Sequence, residues 1–428
     1  MTVAAAPPFS PAGADAPLDV TETACCVVGS GPGGVMLALL LARRGVPVTL
    51  LEANPSFDRD FRGDTVHPST LEVMHELGLL DEFLARPHNE ARQVSVQVGD
   101  ENVTIADLSH LPTRCRFIAF VPQWDFLDFL AGQGKRYPTF RLLVRAEVAE
   151  LIVEDGRVAG VRAQTPDGPQ DVRAGLVVGA DGRRSAVRAL AGLAVRDLGA
   201  PMDVLWLRLS RRPEDPGAVL GRIDAGRILV LLDRGDYWQC AFVIPKGTLE
   251  GLQRRGLPAF RGELARLAPF LRDRVQEVRG WEDAKLLTVS VDRLRTWWRP
   301  GLLCLGDAAH AMSPIGGVGI NLAVQDAVAA ANILGPHLLR GDLRTKHLRR
   351  LQHRREWPTR ATQRLQLVLQ NRMVRPVLAA SGSLRPPRLL RLLGRFPVLR
   401  RIPARLIGLG VRPEHVRTPA AFGRLGGA

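Results

Sequence analysis

An aspartate and a cluster of glycines near residue 310 are the residues whose order most directly suggests chemistry. A short apolar run ends at Gly306-Asp307, the Gly-rich loop Pro314–Asn321 follows, and a helix-like segment begins after it. This order places a carboxylate at a strand end and backbone N–H groups at a helix start, where negative charge is favoured. A sugar-phosphate chain could use the carboxylate, and an anionic ring edge could use the amides.

A second glycine motif, Gly-Ser-Gly-Pro-Gly-Gly from 29 to 34, lies between two apolar runs that are typical of strands. Gly29 suits a tight turn, Gly31 lets a pyrophosphate approach the backbone, and Gly34 lets helix and strand pack closely. Glu52 ends the second strand, where a carboxylate can accept both hydroxyls of an adenosine ribose. The complete βαβ unit therefore predicts a dinucleotide-binding site.

An Asp-Gly pair in the middle of the chain marks a third strand end. Residues 176–180 are mostly apolar, Asp181 and Gly182 follow, and Ser185 is placed to cap the next helix. An ordinary turn between a strand and a helix has the same composition. This motif alone therefore leaves both interpretations open.

The three motifs, in this order, resemble the flavin-dependent aromatic hydroxylases of the para-hydroxybenzoate hydroxylase type, which include ubiquinone-pathway and phenol hydroxylases. The resemblance covers residues 23–345. It implies an FAD-dependent monooxygenase that uses NADH or NADPH and O2 to hydroxylate an aromatic or conjugated small molecule through a flavin hydroperoxide. Because the sequence contains a single nucleotide fingerprint, we expect the nicotinamide cofactor to visit rather than to reside.

The resemblance also assigns site residues. Asp307 is expected to bind the ribitol chain, Asp181 to lie near the pyrophosphate, and the loop from Pro314 to Asn321 to line the flavin ring. No residue is identifiable as a ring-activating base. The cofactor-binding residues implied are Gly29, Gly31, Gly33, Gly34, Glu52, Arg62, Gln123, Asp181, Gly306, Asp307, Gly319 and Asn321, and the residues at the reacting ring are Pro314, Gly316 and Gly317.

The predicted fold class is α/β, with a Rossmann-like FAD-binding domain, an inserted mixed β-sheet domain and a C-terminal helical region. The resemblance implies that the inserted sheet is the substrate domain. Turn signals and β-rich runs set the boundaries. We expect a disordered tail at 1–22, a discontinuous FAD-binding domain at 23–90, 119–200 and 292–345, a substrate domain at 91–118 and 201–291, and a basic helical region at 346–428.

Polar and aromatic residues in the inserted strands are the candidates for substrate contact, namely Arg208, Trp238 and Gln239. Packing is the favoured role for Trp238, and Arg208 suits a solvent-facing position as well as a substrate anchor. His310 lies inside the Gly-Asp motif, where a structural hydrogen bond is favoured over proton transfer. An apolar pocket among these strands would keep water from the reacting flavin.

Composition indicates a globular protein of two to three domains. The five cysteines have neither a paired framework nor metal-ligand spacing, so buried free thiols in a reducing cytoplasm and no metal are expected. Residues 357–413 contain twelve arginines and no acidic residue, within a net charge of +15. Two interpretations of this segment stay open: a helical cap on the flavin domain, or a basic amphipathic surface on an anionic membrane.

Other functions remain to be separated from the monooxygenase. A reductase or dehydrogenase on the same fold, such as a prenyl-chain reductase, would use the same motifs. A non-catalytic relative could keep the fold for binding, although the intact Gly-Asp loop argues against this. Nucleic acid is not an expected partner, because no aromatic platform or base-reading motif accompanies the arginines.

Overall fold

A computed structural model of the chain describes residues 19–57, 65–216, 220–382 and 384–422. The first half contributes most of one sheet and the start of another. In chain order its elements are β1 (Asp19–Val28), α1 (Pro32–Arg43), β2 (Val48–Glu52), β3 (Thr65–Val66), α2 (Pro68–Glu76), α3 (Leu80–Leu84), β4 (Asn89–Ala91), β5 (Gln93–Val98), β6 (Glu101–Asp107), β7 (Ile118–Phe120), α4 (Gln123–Lys135), β8 (Phe140–Val144), β9 (Glu147–Glu154), β10 (Arg157–Thr165), β11 (Gly168–Gly179), α5 (Ala186–Leu190) and β12 (Val195–Asp197).

The second half completes both sheets and ends in helices. Its elements are β13 (Met202–Ser210), β14 (Leu220–Asp224), β15 (Arg227–Asp233), β16 (Tyr237–Pro245), α6 (Leu249–Arg254), α7 (Leu257–Leu267), β17 (Lys285–Leu287), β18 (Asp292–Leu294), β19 (Trp298–Arg299), β20 (Leu302–Cys304), α8 (Gly319–Arg340), α9 (Thr345–Leu369), α10 (Arg375–Ala379), α11 (Arg388–Arg395) and α12 (Arg401–Gly408).

The first sheet has a parallel centre in the order β8-β2-β1-β11-β20, extended by antiparallel strands at β19 and at β10 and β9. The central strands are buried on both faces, which is typical of parallel sheets and explains their continuous apolar runs. Helix α1 packs against α4 and α8. The carboxyl ends of β1, β2, β11 and β20 therefore lie at one edge of the sheet, where such folds bind nucleotides.

The first strand begins earlier than the sequence indicated. The predicted tail extends to residue 22, but β1 starts at Asp19 because its first residues pair in register with Gln170–Ala174 of β11. The side-chain amide of Gln170 also donates to Asp19 Oδ2 at 2.9 Å and to Thr21 Oγ1 at 3.1 Å. The remainder of the tail, residues 1–18, lies outside the described residues.

The second sheet is mixed and has the order β17-β13-β16-β15-β14-β5-β6. Strand β14 is parallel to β5, and the other pairings are antiparallel. The hairpin β5-β6 thus joins a sheet whose other strands follow about a hundred residues later. Helices α6 and α7 cover one face, which we call the helix face. The opposite face, which we call the inner face, packs against Phe120, Ile315 and C-terminal residues such as Val377.

The C-terminal helices wrap around both sheets. Helix α9 packs against α8, the N–H of Gly226 donates to the Val377 carbonyl in α10, and α11 packs on β6. Leu390 and Leu393 face the β5-β6 hairpin, whereas Leu392 and Phe396 are exposed. The apolar residues of this segment are therefore divided between packed and exposed positions. The predicted α/β class with a helical C-terminal region is confirmed.

Helix α8 is the central helix of the core. The helical run Ile315–Arg340 is long and apolar enough to span a membrane, but 72% of its most apolar window is buried inside the protein. Its apolar composition is therefore explained by packing between α1, α2 and α9. The five cysteines are buried and unpaired, which confirms the expectation of free thiols.

Candidate active site

The glycine turn after β1 is compressed against the Asp-Gly motif. Gly29 has a φ of +95°, and its N–H donates to the Leu51 carbonyl at 2.8 Å. A Cβ on Gly29 would lie 2.6 Å from the Asp181 Cα, and a Cβ on Gly34 would lie 2.0 Å from the Gly29 carbonyl oxygen. Side chains larger than hydrogen cannot fit at either position without a shift of the backbone.

The Gly-Asp motif meets the same turn from the other side. A Cβ on Gly33 would lie 3.2 Å from the Ala323 carbonyl oxygen of α8, and a Cβ on Gly306 would lie 3.1 Å from the Ala323 Cβ. Arg183, two residues after Asp181, places Nη2 3.4 Å from Asp307 Oδ2. The three motifs, separated by about 280 residues of sequence, therefore share one corner of the molecule.

Glu52 lies at the end of β2 with its carboxylate buried among donors. Its Oε2 accepts hydrogen bonds from the N–H and hydroxyl of Ser30, and its Oε1 accepts from the N–H of Asn54 at 2.9 Å and from the Asn54 side chain at 2.6 Å. A carboxylate offers about four acceptor positions. Ribose hydroxyls would therefore take the place of the Ser30 hydroxyl or the Asn54 amide.

Asp181 organises the turn in which it lies. Its Oδ1 accepts a hydrogen bond from the Ser185 hydroxyl, and its Oδ2 accepts from the Val187 N–H at 3.1 Å. Ser185 caps α5 by accepting from the Arg188 N–H at 2.9 Å, which confirms the predicted cap. Both carboxylate oxygens thus fix the start of α5, and the Asp181 backbone is the part that touches Gly29.

Asp307 is the more open of the two motif aspartates. Its side chain is 31% exposed, and its Arg183 neighbour is similarly half-buried. A carboxylate with one long ion pair and open surface can accept hydrogen bonds from a hydroxylated chain. Arg183 was not foreseen as a partner, although its place directly after the Asp-Gly motif was the available signal.

A buried ionic network supports the Gly-Asp motif from behind. Asp326 Oδ2 accepts from the Gly306 N–H at 3.3 Å and from His310 Nε2 at 2.6 Å, and its Oδ1 accepts from Arg355 Nε at 2.8 Å. Burial raises the pKa of Asp326, but His310 and Arg355 outweigh it and the net pKa is lowered. His310 therefore makes a structural hydrogen bond, and Arg355 was not anticipated from the sequence.

The loop from 314 to 321, called the flavin-ring loop below, is held in an unusual backbone shape. Gly316 and Gly317 have φ values of +81° and +63°. Thr65 Oγ1 donates to the Gly317 carbonyl at 3.1 Å, and a Cβ on Gly317 would lie 2.6 Å from that hydroxyl. The Gly317 N–H donates to the Pro314 carbonyl, so the amides available at this point are those of the first turn of α8, from residue 319 to 321.

Two glutamines of the C-terminal helical region fix the entry to this loop. Gln366 Nε2 donates to the carbonyls of Ser313 and Ile315, both at 2.9 Å, and its Oε1 accepts from the Ser313 N–H at 3.2 Å. Gln370, in the π-helical turn after α9, donates to the Ser313 hydroxyl at 2.7 Å. Sequence reasoning missed both, although polar residues spaced by four in a helix predict a shared face.

Buried polar atoms without a partner in the described part of the chain lie beside the loop. Asn321 Oδ1 accepts from the His67 N–H at 3.0 Å and from the Thr70 hydroxyl at 2.6 Å, which leaves its Nδ2 unpaired. His67 Nδ1 donates to the Ile407 carbonyl at 2.7 Å, which leaves Nε2 as an unpaired acceptor near Gly317. Burial lowers the pKa of His67 to about 4, against the opposing hydrogen bond to Ile407.

These unpaired atoms, with the glycine turn at 29–34 whose backbone carries no bulky side chain, fit a bound FAD. A buried polar atom without a partner is costly, and native structures usually satisfy it with protein, water or ligand. A flavin ring carries both donors and acceptors along its polar edge, which suits one unpaired acceptor and one unpaired donor.

His67 was not foreseen from the sequence. Arg62 lies outside the described residues, and Gln123 is the first residue of α4, half-buried, three positions after β7.

The candidates for substrate contact divide between the two faces of the second sheet. Trp238 is fully buried on the helix face, where it packs edge-to-face against Phe270 and its Nε1 donates to Asp215 Oδ2 at 2.8 Å. This burial agrees with the favoured packing role and removes Trp238 from the candidates for substrate contact. Gln239 is buried on the inner face, and Arg208 is exposed there with its guanidinium 3.7 Å from the Tyr237 ring centroid.

The inner face of the second sheet meets the flavin-ring loop directly. Ile315 packs against the apolar cluster that lines this face, whose members include Val204, Ala241 and Val243. Trp206 packs against the same cluster and against a second one around Phe120. The site therefore has two ends. One end is the glycine turn at 29–34 with Asp181 and Asp307, called the nucleotide corner below, and the other is the apolar inner face opposite the flavin-ring loop, called the apolar wall.

Comparison with known proteins identifies the class of molecule that has this site. The family model described as FAD binding domain matches residues 22–365, and the chain belongs to that family. It is an FAD-dependent monooxygenase, which confirms the resemblance to the aromatic hydroxylases.

Individual relatives agree with this class. The chain is 34% identical over 404 residues to the 6-methylpretetramide 4-monooxygenase of Streptomyces rimosus, which covers 94% of this chain and 96% of that one. It is 31% identical over 316 residues to a rifampicin monooxygenase of Streptomyces venezuelae, covering 70% and 61%. The solved structure of p-nitrophenol 4-monooxygenase from Pseudomonas putida DLL-E4 shares the fold, with a TM-score of 0.74 at 21% identity over 92% of this chain and 100% of that one.

Proposed function

We propose that this monooxygenase hydroxylates an aromatic substrate of the polyketide type, with NADH or NADPH as the reductant and O2 as the oxygen donor. The observation that carries the proposal is the meeting of the flavin-ring loop with the apolar inner face of the second sheet. A substrate held between them would face the flavin ring. The similarity to relatives named for 6-methylpretetramide and for the hydroxylation of aklavinone supports an aromatic polyketide as substrate.

Each part of the site has a separate task in this proposal. FAD, when bound, would supply the redox chemistry of the reaction. Glu52 and the Gly29 turn would hold its adenosine diphosphate half, and Asp307 its ribitol chain. The first turn of α8 would place backbone N–H groups and the positive end of the helix at the ring, where they favour negative charge.

The apolar wall would protect the reaction. Ile315 on the loop and the valines of the inner face leave few groups that could hold water near the ring. His67 remains neutral through the ordinary pH range, because its pKa is lowered to about 4. The residues around the ring would therefore present an apolar surface with one neutral acceptor and one amide donor.

A direct test is a screen of aromatic compounds against the yellow, FAD-loaded protein. We expect a good substrate to stimulate NAD(P)H oxidation and O2 consumption together, and to give a product heavier by one oxygen atom. A reductase of the same fold would oxidise the nicotinamide and reduce its substrate without incorporating oxygen. NAD(P)H oxidation with substrate reduction and no oxygen incorporation would contradict the proposal.

A second contact is proposed for the outer surface of α11 and α12. Val398 is 65% exposed and Ile402 is 62% exposed, beside Phe396, in a segment with arginines and no acidic residue. This combination suits peripheral contact of a cytoplasmic protein with an anionic membrane. We expect co-sedimentation with phosphatidylglycerol vesicles but not with phosphatidylcholine vesicles, and equal absence from both pellets would favour a purely structural cap.

A further inference from the structure

Two buried hydrogen-bond donors on the inner face of the second sheet have no partner among the described residues. They are Nε1 of Trp206 and Nε2 of Gln239. The Gln239 residue is 1% exposed. The Trp206 side chain is half-buried, but its Nε1 atom is buried from solvent. Leaving buried donors unpaired is costly, so a ligand that accepts from both would be favoured.

The two donors are neighbours. In the pairing of β13 with β16, Arg208 lies opposite Gln239 and Trp206 lies opposite Ala241. Trp206 and Gln239 are therefore diagonal neighbours on one face of an antiparallel pair, within reach of a single bound molecule. Their N–H groups can donate hydrogen bonds to two acceptor atoms along one edge of a flat ring system.

The orientation of the Gln239 amide is fixed by the protein. Its Oε1 accepts a hydrogen bond from Arg234 Nε at 2.8 Å, so Nε2 is the end without a protein partner. The Arg234 guanidinium lies 5.7 Å from the ring centroid of Phe120, which pairs with Thr65, the residue that holds Gly317. The donor pair is thus connected to the flavin-ring loop through a short series of contacts.

The opposite face of the sheet shows that an unpaired tryptophan is not required by the fold. Trp238, adjacent to Gln239 in sequence, points to the helix face and donates to Asp215, which also pairs with Arg274 at 2.6 Å. There the chain supplies its own acceptor for a buried indole N–H. On the inner face it supplies none to Trp206 in the described residues.

We propose that Trp206 and Gln239 form a donor pair that binds two oxygen atoms, of keto or phenolate type, along one edge of the aromatic substrate. This inference rests on the proposed function and specifies the chemistry of its substrate. Arg208 and Arg234 beside the pair add positive charge, which favours an ionised phenol. A ring system without oxygen on that edge leaves the donors unpaired and is rejected.

The test uses the FAD-loaded protein and a dihydroxyanthraquinone with its oxygens on one edge as the probe. Binding is followed by the change in the flavin absorption spectrum on titration. We expect Trp206→Phe and Gln239→Glu each to raise the Kd of the probe about tenfold, the worth of one well-formed hydrogen bond. Anthracene, which has the ring system without oxygen, should bind the parent protein more weakly than the probe does, and neither substitution should weaken its binding further.

Trp238→Phe is the matched control. It makes the same tryptophan-to-phenylalanine change as Trp206→Phe, but at a residue next to Gln239 whose side chain lies on the helix face. It should lower the melting temperature but leave the Kd of the probe within about twofold, since no substrate contact is lost. Absence of probe binding by the parent protein, or an equal Kd in the parent and both inner-face variants, would overturn the donor pair. Failure of the proposed function would show differently, as tight probe binding without oxygen incorporation into any compound.

Discussion

The nucleotide corner and the flavin-ring loop are positioned by different means. The corner is built from backbone in direct contact, with Gly29 pressed on Asp181 and Gly33 on Ala323. The loop is held from outside by side chains of other elements, namely Thr65, Gln366 and Gln370. The corner should therefore tolerate almost no change, whereas the loop should respond in graded steps to the loss of single supports.

The largest effect is expected at the corner. Gly29→Ala places a Cβ 2.6 Å from backbone atoms at a φ of +95°, so we expect loss of bound FAD and several kcal/mol of destabilisation. Gly156→Ala is the control, because Gly156 has a φ of +74° but nothing within 4 Å of its added Cβ. It should cost only about 1 kcal/mol and keep the flavin. Equal flavin content in the two variants would remove the argument for close contact.

The next effect concerns the network behind the Gly-Asp motif. Arg355→Met leaves Asp326 without one of its partners in a fully buried site, and we expect a loss of about 3–5 kcal/mol in the free energy of unfolding. Arg354→Met removes a neighbouring arginine that pairs with Glu414 but is 31% exposed, and it should cost about 1 kcal/mol or less. Denaturant titration of both variants measures the difference, and similar losses would contradict the buried role of Arg355.

The third effect is a dependence of stability on pH that arises at His67. Its folded pKa of about 4 lies below the ordinary value of 6.5, so the unfolded state binds more protons between the two values. Stability should fall by up to about 3 kcal/mol as pH drops through this window, because each pKa unit is worth about 1.4 kcal/mol. His67→Gln should flatten the slope between pH 6.5 and 4. An unchanged slope in the variant would place the proton uptake elsewhere.

The smallest effect is expected for Gln366→Leu. It removes the donors to the Ser313 and Ile315 carbonyls, and a loss of about 2 kcal/mol with a shifted flavin absorption spectrum should result. Gln352→Leu is the control in the same helix, where the side chain instead binds the Arg295 carbonyl and the Trp297 N–H. That variant should lose stability but keep the parent spectrum, and a spectral change in both would weaken the assigned role of Gln366.

The same contrast explains which features the sequence revealed. The corner is formed by glycines and aspartates at strand ends, and their local spacing was enough to predict the three motifs and the fold class. Arg355, Gln366 and His67 contact partners that are 29, 53 and more than 250 residues away in sequence, and no local pattern contains such pairings. The missed supports are therefore all long-range side-chain contacts.

The ambiguity between Trp238 and Gln239 as substrate contacts has a related cause. Strand β16 is buried on both faces from Trp238 to Ile244, so its residues show no alternation between polar and apolar that would reveal which face meets the flavin. Trp238 and Gln239 are equally plausible from composition. Only the register with β13 and the position of α6 and α7 assigns one to the core and the other to the inner face.

A crystal structure of the FAD-loaded protein tests the central claim most directly. We predict the pyrophosphate at the Gly29–Gly34 turn, a ribitol hydroxyl within hydrogen-bond distance of Asp307, and the polar edge of the ring at residues 319–321 with His67 Nε2 or Asn321 Nδ2 as a partner. Density for FAD that leaves Asp307 and the first turn of α8 without contact would contradict the account.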